Sequence, residues 1–240
     1  METLQKNSFA LILGLSLIGS ALIGSVTMYK IRALDNTLSV TGSTKERVSA
    51  DTAKWSIDVE RIVLEGELAQ GYEGVTADTK KVKAFLTKQG FAETEIRMSP
   101  ISSNEYYTGS GENQVRKTMV RQNISVVTKN IQTVESAAQN TVVLAQQNLR
   151  FTSMQPEYLI SNLPELRIQL IGKAIQDAKK RAESIAGAMG QSVGRMKSAN
   201  NGVVQVMAPD STAVSDYGEY DTSTKDKDVM LSVKAVFTLQ

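Results

Sequence analysis

The sequence contains neither cysteine nor histidine. Without cysteine it can form no disulfide bond, thiolate nucleophile or cysteine-ligated metal site. Without histidine it lacks the serine, histidine and aspartate triad, the most common general base near neutral pH and the usual zinc ligands. These two absences remove most of the common classes of enzyme active site.

Nucleotide-binding and acyl-transfer motifs are absent as well. The sequence has no Ser-x-x-Lys and no Gly-x-Gly-x-x-Gly, and Gly172-Lys173 lacks the upstream glycine of a phosphate-binding loop. The formal net charge of +2 provides no basic surplus for binding nucleic acid. We therefore expect no enzymatic activity, no catalytic residue, no cofactor and no nucleic-acid partner.

Two groups of acidic residues are the remaining candidates for chemistry. Asp58 and Glu60 point to the same side of a predicted strand, but the apolar residues that alternate with them favour a solvated sheet face. Six acidic residues between Asp210 and Asp228 could offer oxygen ligands to calcium. That stretch lacks the spacing and glycine of an EF-hand loop and contains lysines, so it indicates a flexible polar loop. We predict no metal site.

No charged residue occurs from Asn7 to Tyr29. A helix of this length spans about 34 Å at ~1.5 Å per residue, enough to cross a hydrocarbon core of about 30 Å. We predict that residues 1–33 form an uncleaved signal-anchor or transmembrane helix. A cleaved signal peptide is the alternative, because Gly19 and Ala21 form a weak cleavage site and a soluble protein would then begin near Leu22.

Small residues recur at four-residue spacing within this segment, at Ser16, Ser20 and Gly24. They lie on one helix face, where a second helix could approach closely. This face is therefore a candidate helix-helix contact within the membrane. The alternative is that small residues are simply common in membrane-spanning helices.

Residues 37–240 carry alternating strand and helix patterns and are numerous enough to bury a substantial core. The predicted helices begin at Leu68, Ile131 and Leu163. The predicted strands are Thr37–Val48, Ala53–Leu64, Glu95–Tyr106, Val115–Lys129, Phe151–Ile160, Val193–Met207 and Val229–Leu239. The order β-β-α-β-β-α-β-α-β-β predicts an α+β domain with helices packed on one face of a mainly antiparallel sheet.

Two features predict where the core lies. Trp55 alternates with Ala53, Ile57 and Val59 on one face of its strand, so we expect it to be buried against helices. The last helix is expected to bury a stripe whose alanines allow it to lie close to the sheet. The predicted members of this stripe are Leu170, Ala174, Ala178, Ala182, Ile185 and Met189.

Several different short motifs occur along the chain from Leu38 to the C-terminus. They are Val40-Thr-Gly42, Asp51, Gly90-Phe91, Ser99-Pro100 and the series Ala174, Ala178, Ala182, Ala186, Gly190 and Gly194. Together they make this region similar to the SIMPL family, long described as a domain of unknown function in bacterial cell envelopes. Two positions depart from the family pattern, since Ala50 replaces a proline and Thr118-Met119 replaces a Gly-Tyr pair.

The resemblance implies an exported domain on the periplasmic or outer side of the membrane, a tendency to self-assemble and a link to envelope stress. It implies no catalytic residues. We therefore expect a single-pass, N-in membrane protein that acts without catalysis, either by self-association as a homo-oligomer or by binding another envelope protein. The alternatives are a carboxylate-based or metal-dependent hydrolase and a small-ligand carrier with an apolar pocket.

Tyrosines provide the candidate contact residues of the domain, because tyrosine is enriched at protein interfaces. Four of the seven tyrosines are assigned to two predicted hairpin loops, of which the first covers Tyr107–Asn113. These four tyrosines are Tyr106, Tyr107, Tyr217 and Tyr220. Loops that merely keep the domain soluble are the alternative. The apolar strand Val229–Leu239 is expected to be an exposed sheet edge that promotes self-association.

Overall fold

The structure is a computed structural model that describes residues 2–34, 36–110, 114–213 and 215–240. Residues 111–113, which belong to the predicted hairpin tip Tyr107–Asn113, lie outside the described part of the chain. The helices are α1 (Glu2–Leu34), α2 (Leu68–Lys88), α3 (Ile131–Gln139), α4 (Val142–Ala145) and α5 (Leu163–Ala188). A short 3-10 turn covers Glu93–Glu95.

Ten strands occupy most of the remaining described chain. They are β1 (Thr37–Ser49), β2 (Thr52–Leu64), β3 (Ile96–Met98), β4 (Ser102–Thr108), β5 (Val115–Thr128), β6 (Phe151–Ser153), β7 (Glu157–Leu159), β8 (Val193–Asn201), β9 (Gln205–Met207) and β10 (Asp226–Leu239). Strand β2 pairs antiparallel with β5, β6 and β7, strand β5 pairs antiparallel with β3 and β4, and β10 pairs antiparallel with β8. The predicted α+β class and element order are confirmed, although the strands form two sheets.

The chain divides into two compact units. One contains Met1–Lys45, Leu166–Val204 and Met230–Gln240, and the other contains Glu46–Glu165 and Gln205–Val229. The expectation of one domain over residues 37–240 stays a prediction.

The second unit is built on a six-stranded sheet in the order β3-β5-β2-β6, in which β4 also pairs with β5 and β7 with β2. The long strands β2 and β5 pair without a break from Ala53 opposite Thr128 to Leu64 opposite Lys117. Residues from α2, α3 and α4 cover the apolar face of this sheet. Trp55 is 1% exposed in this core, as predicted, and its indole Nε1 donates to the Met154 carbonyl oxygen at 3.1 Å.

The other sheet has the order β1-β10-β8, with β9 also paired to β10. The expectation that Val229–Leu239 is an exposed edge is therefore wrong, because β10 lies between two strands. From Val233 to Leu239 it pairs with β8, which is the outer strand on that side. The apolar alternation of β10 reflects burial on the sheet, with Val229, Leu231 and Ala235 fully buried.

Helix α5 packs on strands of the first unit through small side chains. Ala178 and Ala182 contact Val40, Ala235 and Phe237 in a small core. The predicted stripe is correct up to Ala182 but then continues at Ala186. Ile185 and Met189 are instead 43% and 55% exposed. The prediction failed at Ile185 and Met189 because the buried positions keep a spacing of four residues up to Ala186. Since a helical turn has 3.6 residues, this spacing shifts the buried stripe gradually around the helix.

Candidate functional site

The carboxylates Asp58 and Glu60 lie in a network of charges on the sheet of the second unit, so the solvated-face interpretation is wrong. Asp58 is 7% exposed and accepts a hydrogen bond from Asn123 Nδ2 at 2.8 Å. Glu60 accepts from Arg150 Nε at 2.8 Å. The Arg121 guanidinium lies 3.9 Å from Asp58 and 3.8 Å from Glu60. Each carboxylate has a basic or amide partner, an arrangement typical of a cross-strand structural network.

A groove of about 350 Å³ opens beside this network, within the usual range for ligand pockets. Its floor is the last part of β2, Glu60–Val63. Its walls include α2 and the segment that leads into β6, through Gln70, Asp78, Asn148 and Arg150. The backbone of Asn148 is left-handed, with a φ of 56°, which asparagine tolerates better than most residues. Sequence reasoning missed this groove.

The predicted tyrosine surface is divided between strand and loop. Tyr106 and Tyr107 lie in β4, which extends beyond the predicted strand end at Tyr106 into the predicted loop, and Tyr107 is 58% exposed. Tyr217 lies in the loop before β10 and is 98% exposed. Tyr220 is fixed in the fold, because its hydroxyl accepts a hydrogen bond from the Ile160 amide at 3.0 Å.

Part of the acidic stretch that leads into β10 forms a buried ion pair between Lys227 and Asp221, and not a simple polar loop. The Lys227 side chain is fully buried and donates to the carbonyl oxygens of Asp221 and Thr224 at 2.5 and 2.7 Å. Its Nζ lies 3.3 Å from the Asp221 carboxylate. Burial lowers the pKa of the Lys227 ammonium, although Asp221 acts in the opposite direction.

The ion pair with Lys227 and the neighbouring hydrogen bonds keep the Asp221 carboxylate ionised. Burial alone would raise the pKa of its carboxyl group. Hydrogen bonds from Ser223 and Thr224, together with the Lys227 ammonium, outweigh burial and hold the pKa far below its ordinary value. Within the described residues, no group of three or more acidic side chains is placed to hold a metal ion.

Asp228 is used in a second ion pair at the start of β10. It is 1% exposed and accepts hydrogen bonds from Arg47 Nε and Nη2 at 2.8 and 3.1 Å. Arg47 also reaches Asp210, with Nη2 at 2.8 Å from the carboxylate. The two ends of the acidic stretch are therefore joined through one arginine.

Helix α1 contains an 18-residue window, Leu13–Lys30, that is long and apolar enough to cross a membrane. Its mean hydropathy is 1.3, and none of it is buried by other parts of the chain. Ser16, Ser20 and Gly24 are exposed in this window. The Ser16 and Ser20 hydroxyls donate to the Leu13 and Ser16 carbonyl oxygens of their own helix, each at 2.8 Å.

The comparison with protein families decides the membership of this chain. The model of SIMPL, described as a protein of unknown function (DUF541), matches residues 38–237. The chain belongs to the SIMPL family. No curated protein matches the chain.

The glycine of the Val40-Thr-Gly42 motif has a clear role in this SIMPL domain. A methyl group on Gly42 would lie 2.7 Å from the Cα atom of Ala178 and closer still to other backbone atoms of α5. The next residue, Ser43, donates its amide to the Asp177 carboxylate at 2.8 Å. This bond is the main cause of the lowered pKa of the Asp177 carboxyl group. The motif therefore fixes helix α5 on β1.

The aspartate of the SIMPL pattern joins two segments of the second unit. The Asp51 carboxylate accepts from the Ser161 amide at 2.8 Å and from the Ser161 hydroxyl. Burial works against ionisation of Asp51, but these bonds and one from Thr52 leave its pKa below the ordinary value. These two motifs thus each hold distant segments of the fold together.

Proposed function

We propose that this protein is a membrane-anchored SIMPL protein whose domain lies on the periplasmic or extracytoplasmic side. The domain acts without catalysis, through self-association or by binding another envelope component, in protection of the envelope under stress. Helix α1 is the anchor and stays attached to the domain. Cleavage of the helix as a signal peptide is the competing possibility.

The exposed apolar surface of α1 is the observation that carries this proposal. Leu15, Leu17, Leu22 and Ile23 are each more than 60% exposed. Leaving such side chains in water would cost about 1.5–3 kcal/mol each, whereas a hydrocarbon core accommodates them. Helix α1 is also longer than the ~20 residues that a membrane requires.

The state of the acidic groups supports a role without catalysis. A carboxylate that serves as a general acid or base needs a free position towards substrate and a pKa near the working pH. Asp58 and Glu60 are instead occupied by Asn123, Arg121 and Arg150. Asp221 is held in its charged form by hydrogen bonds and Lys227.

Exposed strand edges offer surfaces for association. Strand β8 is the outer strand of its sheet, and its residues from Arg195 to Asn201 are exposed on both faces. Strand β4 pairs with β5 on one side, and within the described residues no strand pairs with its other side. Unpaired edges of this kind are templates for pairing with another chain.

Carbonate extraction of the full-length protein tests the anchor. The wild-type protein should remain in the membrane pellet at full length. Leu17→Arg places a charge within the span at a cost of about 2.5–3.5 kcal/mol, so a fraction of this variant should be lost from the pellet. Lys30→Arg is the matched control, since it keeps the charge at the end of the window. Recovery of a soluble protein that begins near Leu22 would contradict the proposal.

Light scattering of the detergent-solubilised full chain tests association. The proposal predicts a defined complex, either of several copies or with a second envelope protein that co-purifies. A monomer without a partner at high protein concentration would contradict this part of the proposal. That result would leave the anchor unaffected.

A further inference from the structure

Strand β2 has a short open edge beside the groove. On this edge, the Ser56 carbonyl oxygen accepts from the Met154 amide at 2.9 Å, and the Glu60 amide donates to the Arg150 carbonyl oxygen at 3.1 Å. Alternate residues of an antiparallel strand direct their backbone groups to the same edge. Ile62 therefore also directs its amide and carbonyl groups to this edge.

Beyond Glu60, the open edge ends at Ile62. Leu64 is next in the alternation, and its amide donates to the Glu67 carboxylate at 3.1 Å. The pairings of β6 and β7 with β2 involve residues between Thr52 and Val59. Within the described residues, no strand pairs with Ile62 on this side. Its backbone thus offers one donor and one acceptor to the groove.

Two arginines flank this edge and are held in place by carboxylates. Arg61 Nε donates to Asp78 at 2.7 Å, and Arg150 Nε donates to Glu60 at 2.8 Å. The carboxylate side chains are only 2% and 12% exposed, whereas those of Arg61 and Arg150 are 45% and 60% exposed. Because each arginine uses Nε for its carboxylate, its terminal nitrogens can donate to a ligand in the groove.

The two arginines lie on opposite faces of the strand. Arg150 stands next to Glu60 across the strand pair, since Phe151 is the register partner of Val59. Arg61 follows Glu60 in β2 and so points to the opposite face, where α2 supplies Asp78. A ligand that contacts both guanidinium groups must therefore direct acceptors to both sides of the sheet plane.

We propose that this groove binds an extended peptide segment that carries two consecutive acidic residues. The peptide backbone pairs with Ile62, one carboxylate binds Arg61 and the next binds Arg150. Consecutive side chains of an extended chain point to opposite faces, so two adjacent acidic residues match the two arginines in either chain direction. Addition of a strand to a free edge, with specificity from side-chain sites, is a general mode of peptide recognition.

This inference rests on the proposed function only in assigning the peptide to the envelope component that the domain binds. The chemistry of the site does not depend on the membrane anchor. Binding is therefore measured on the full chain in detergent, where anchoring plays no part. Failure of peptide binding and failure of membrane extraction remain separate results.

Fluorescence anisotropy with a labelled hexapeptide, Thr-Val-Asp-Glu-Val-Thr with blocked ends, tests the proposal. We expect saturable binding that weakens as the salt concentration rises. The matched Thr-Val-Asn-Gln-Val-Thr peptide should bind at least about tenfold more weakly, because its neutral amides cannot form the charge-assisted hydrogen bonds with the two arginines. Methylation of the peptide amide that donates to the Ile62 carbonyl oxygen should also weaken binding, because it removes this backbone donor.

Arg61→Gln and Arg150→Gln should each weaken binding of the acidic peptide about tenfold or more. Neither change leaves a carboxylate without a cation, since Lys81 lies 3.4 Å from Asp78 and Arg121 lies 3.8 Å from Glu60. Thermal melting of each variant checks that it is folded. Arg116→Gln is the matched control, because Arg116 is bound to Glu105 outside the groove and its loss should not change affinity.

Several results would overturn the proposal. They are equal affinity for the acidic and amide peptides, no binding at millimolar peptide, and unchanged affinity in folded Arg61→Gln and Arg150→Gln proteins. If free succinate displaces the labelled peptide and binds with the same affinity as the peptide, the groove is a site for small dicarboxylates instead. Insensitivity to methylation of the peptide backbone would exclude strand pairing with Ile62.

Discussion

Gly42 of β1 lies directly against the backbone of α5 at Ala178, with no space for a side chain between them. The contact joins two motifs that are far apart in the sequence, the glycine after Val40-Thr and the alanine series of the last helix. Small residues on both elements allow the helix to approach the strand closely. Any methyl group added here must displace helix backbone and not a flexible side chain.

Gly42→Ala should therefore lower the free energy of unfolding by at least about 1–3 kcal/mol, the usual cost of overpacking. Urea denaturation followed by circular dichroism measures this change. Gly172→Ala is the control, because a methyl group there meets no other atom within 4 Å. It lies inside α5 and should stabilise the protein by about 0.5–1 kcal/mol. Equal effects of the two substitutions would contradict the close contact.

Trp55 should contribute through both its ring and its indole nitrogen. Trp55→Ala should cost about 3–5 kcal/mol, because it leaves a cavity among fully buried side chains. Trp55→Phe keeps most of the volume but leaves the Met154 carbonyl oxygen without its donor, so about 1–3 kcal/mol should be lost. Chemical denaturation measures both values. An unchanged midpoint in Trp55→Ala would show that the core has been wrongly located.

Asp221 should contribute stability that depends on pH. Its folded pKa lies below its ordinary value of 3.8, so its contribution is present above that pH and is lost as the pH falls through the folded value. Asp221→Asn leaves Lys227 buried without a carboxylate and should cost about 3–5 kcal/mol at pH 7. Below pH ~4 the difference from wild type should shrink by up to about 1.4 kcal/mol per pH unit.

Denaturation of both proteins between pH 7 and pH 3 tests this prediction. Other carboxylates titrate equally in the two proteins, so they cancel in the difference. A stability difference that stays constant over the whole range would show that Asp221 does not act through its charge.

Tyr217 and Tyr220 should behave differently when they are changed. Tyr217 is exposed and has room to contact another molecule, so Tyr217→Ser should weaken self-association without changing the melting temperature. Tyr220→Phe removes the acceptor of the Ile160 amide and should lower the melting temperature instead. Light scattering and thermal melting distinguish the two effects. Unchanged mass in Tyr217→Ser would remove this residue from the interface.

Local patterns predicted much of the fold. Alternation placed Trp55 on a buried face, and the alanine spacing placed α5 on a sheet. The position of β10 between β1 and β8 could not be predicted, because strand order depends on pairing between distant segments. In a sheet that is buried on only one face, an edge strand and a central strand show the same alternation of apolar and polar residues.

The polar residues were harder to place. Asp58 and Glu60 alternate as solvent-facing residues do, and only the fold shows that Arg121 and Arg150 cover them. Glu60 and Arg150 are 90 positions apart, so no local pattern connects them. Burial of Lys227 was also unpredictable, because its partners include carbonyl oxygens whose positions depend on the loop.

The side of the membrane on which the domain lies is the most direct test of the proposed function. The protein has no cysteine, so Ile168→Cys introduces a single thiol at a residue that is 72% exposed and belongs to neither proposed contact surface. Intact cells for a Gram-positive host, or spheroplasts for a Gram-negative one, are treated with a membrane-impermeant maleimide. The account predicts labelling of the full-length, membrane-bound protein before lysis. Labelling only after lysis, or labelling of a shortened soluble protein, would contradict it.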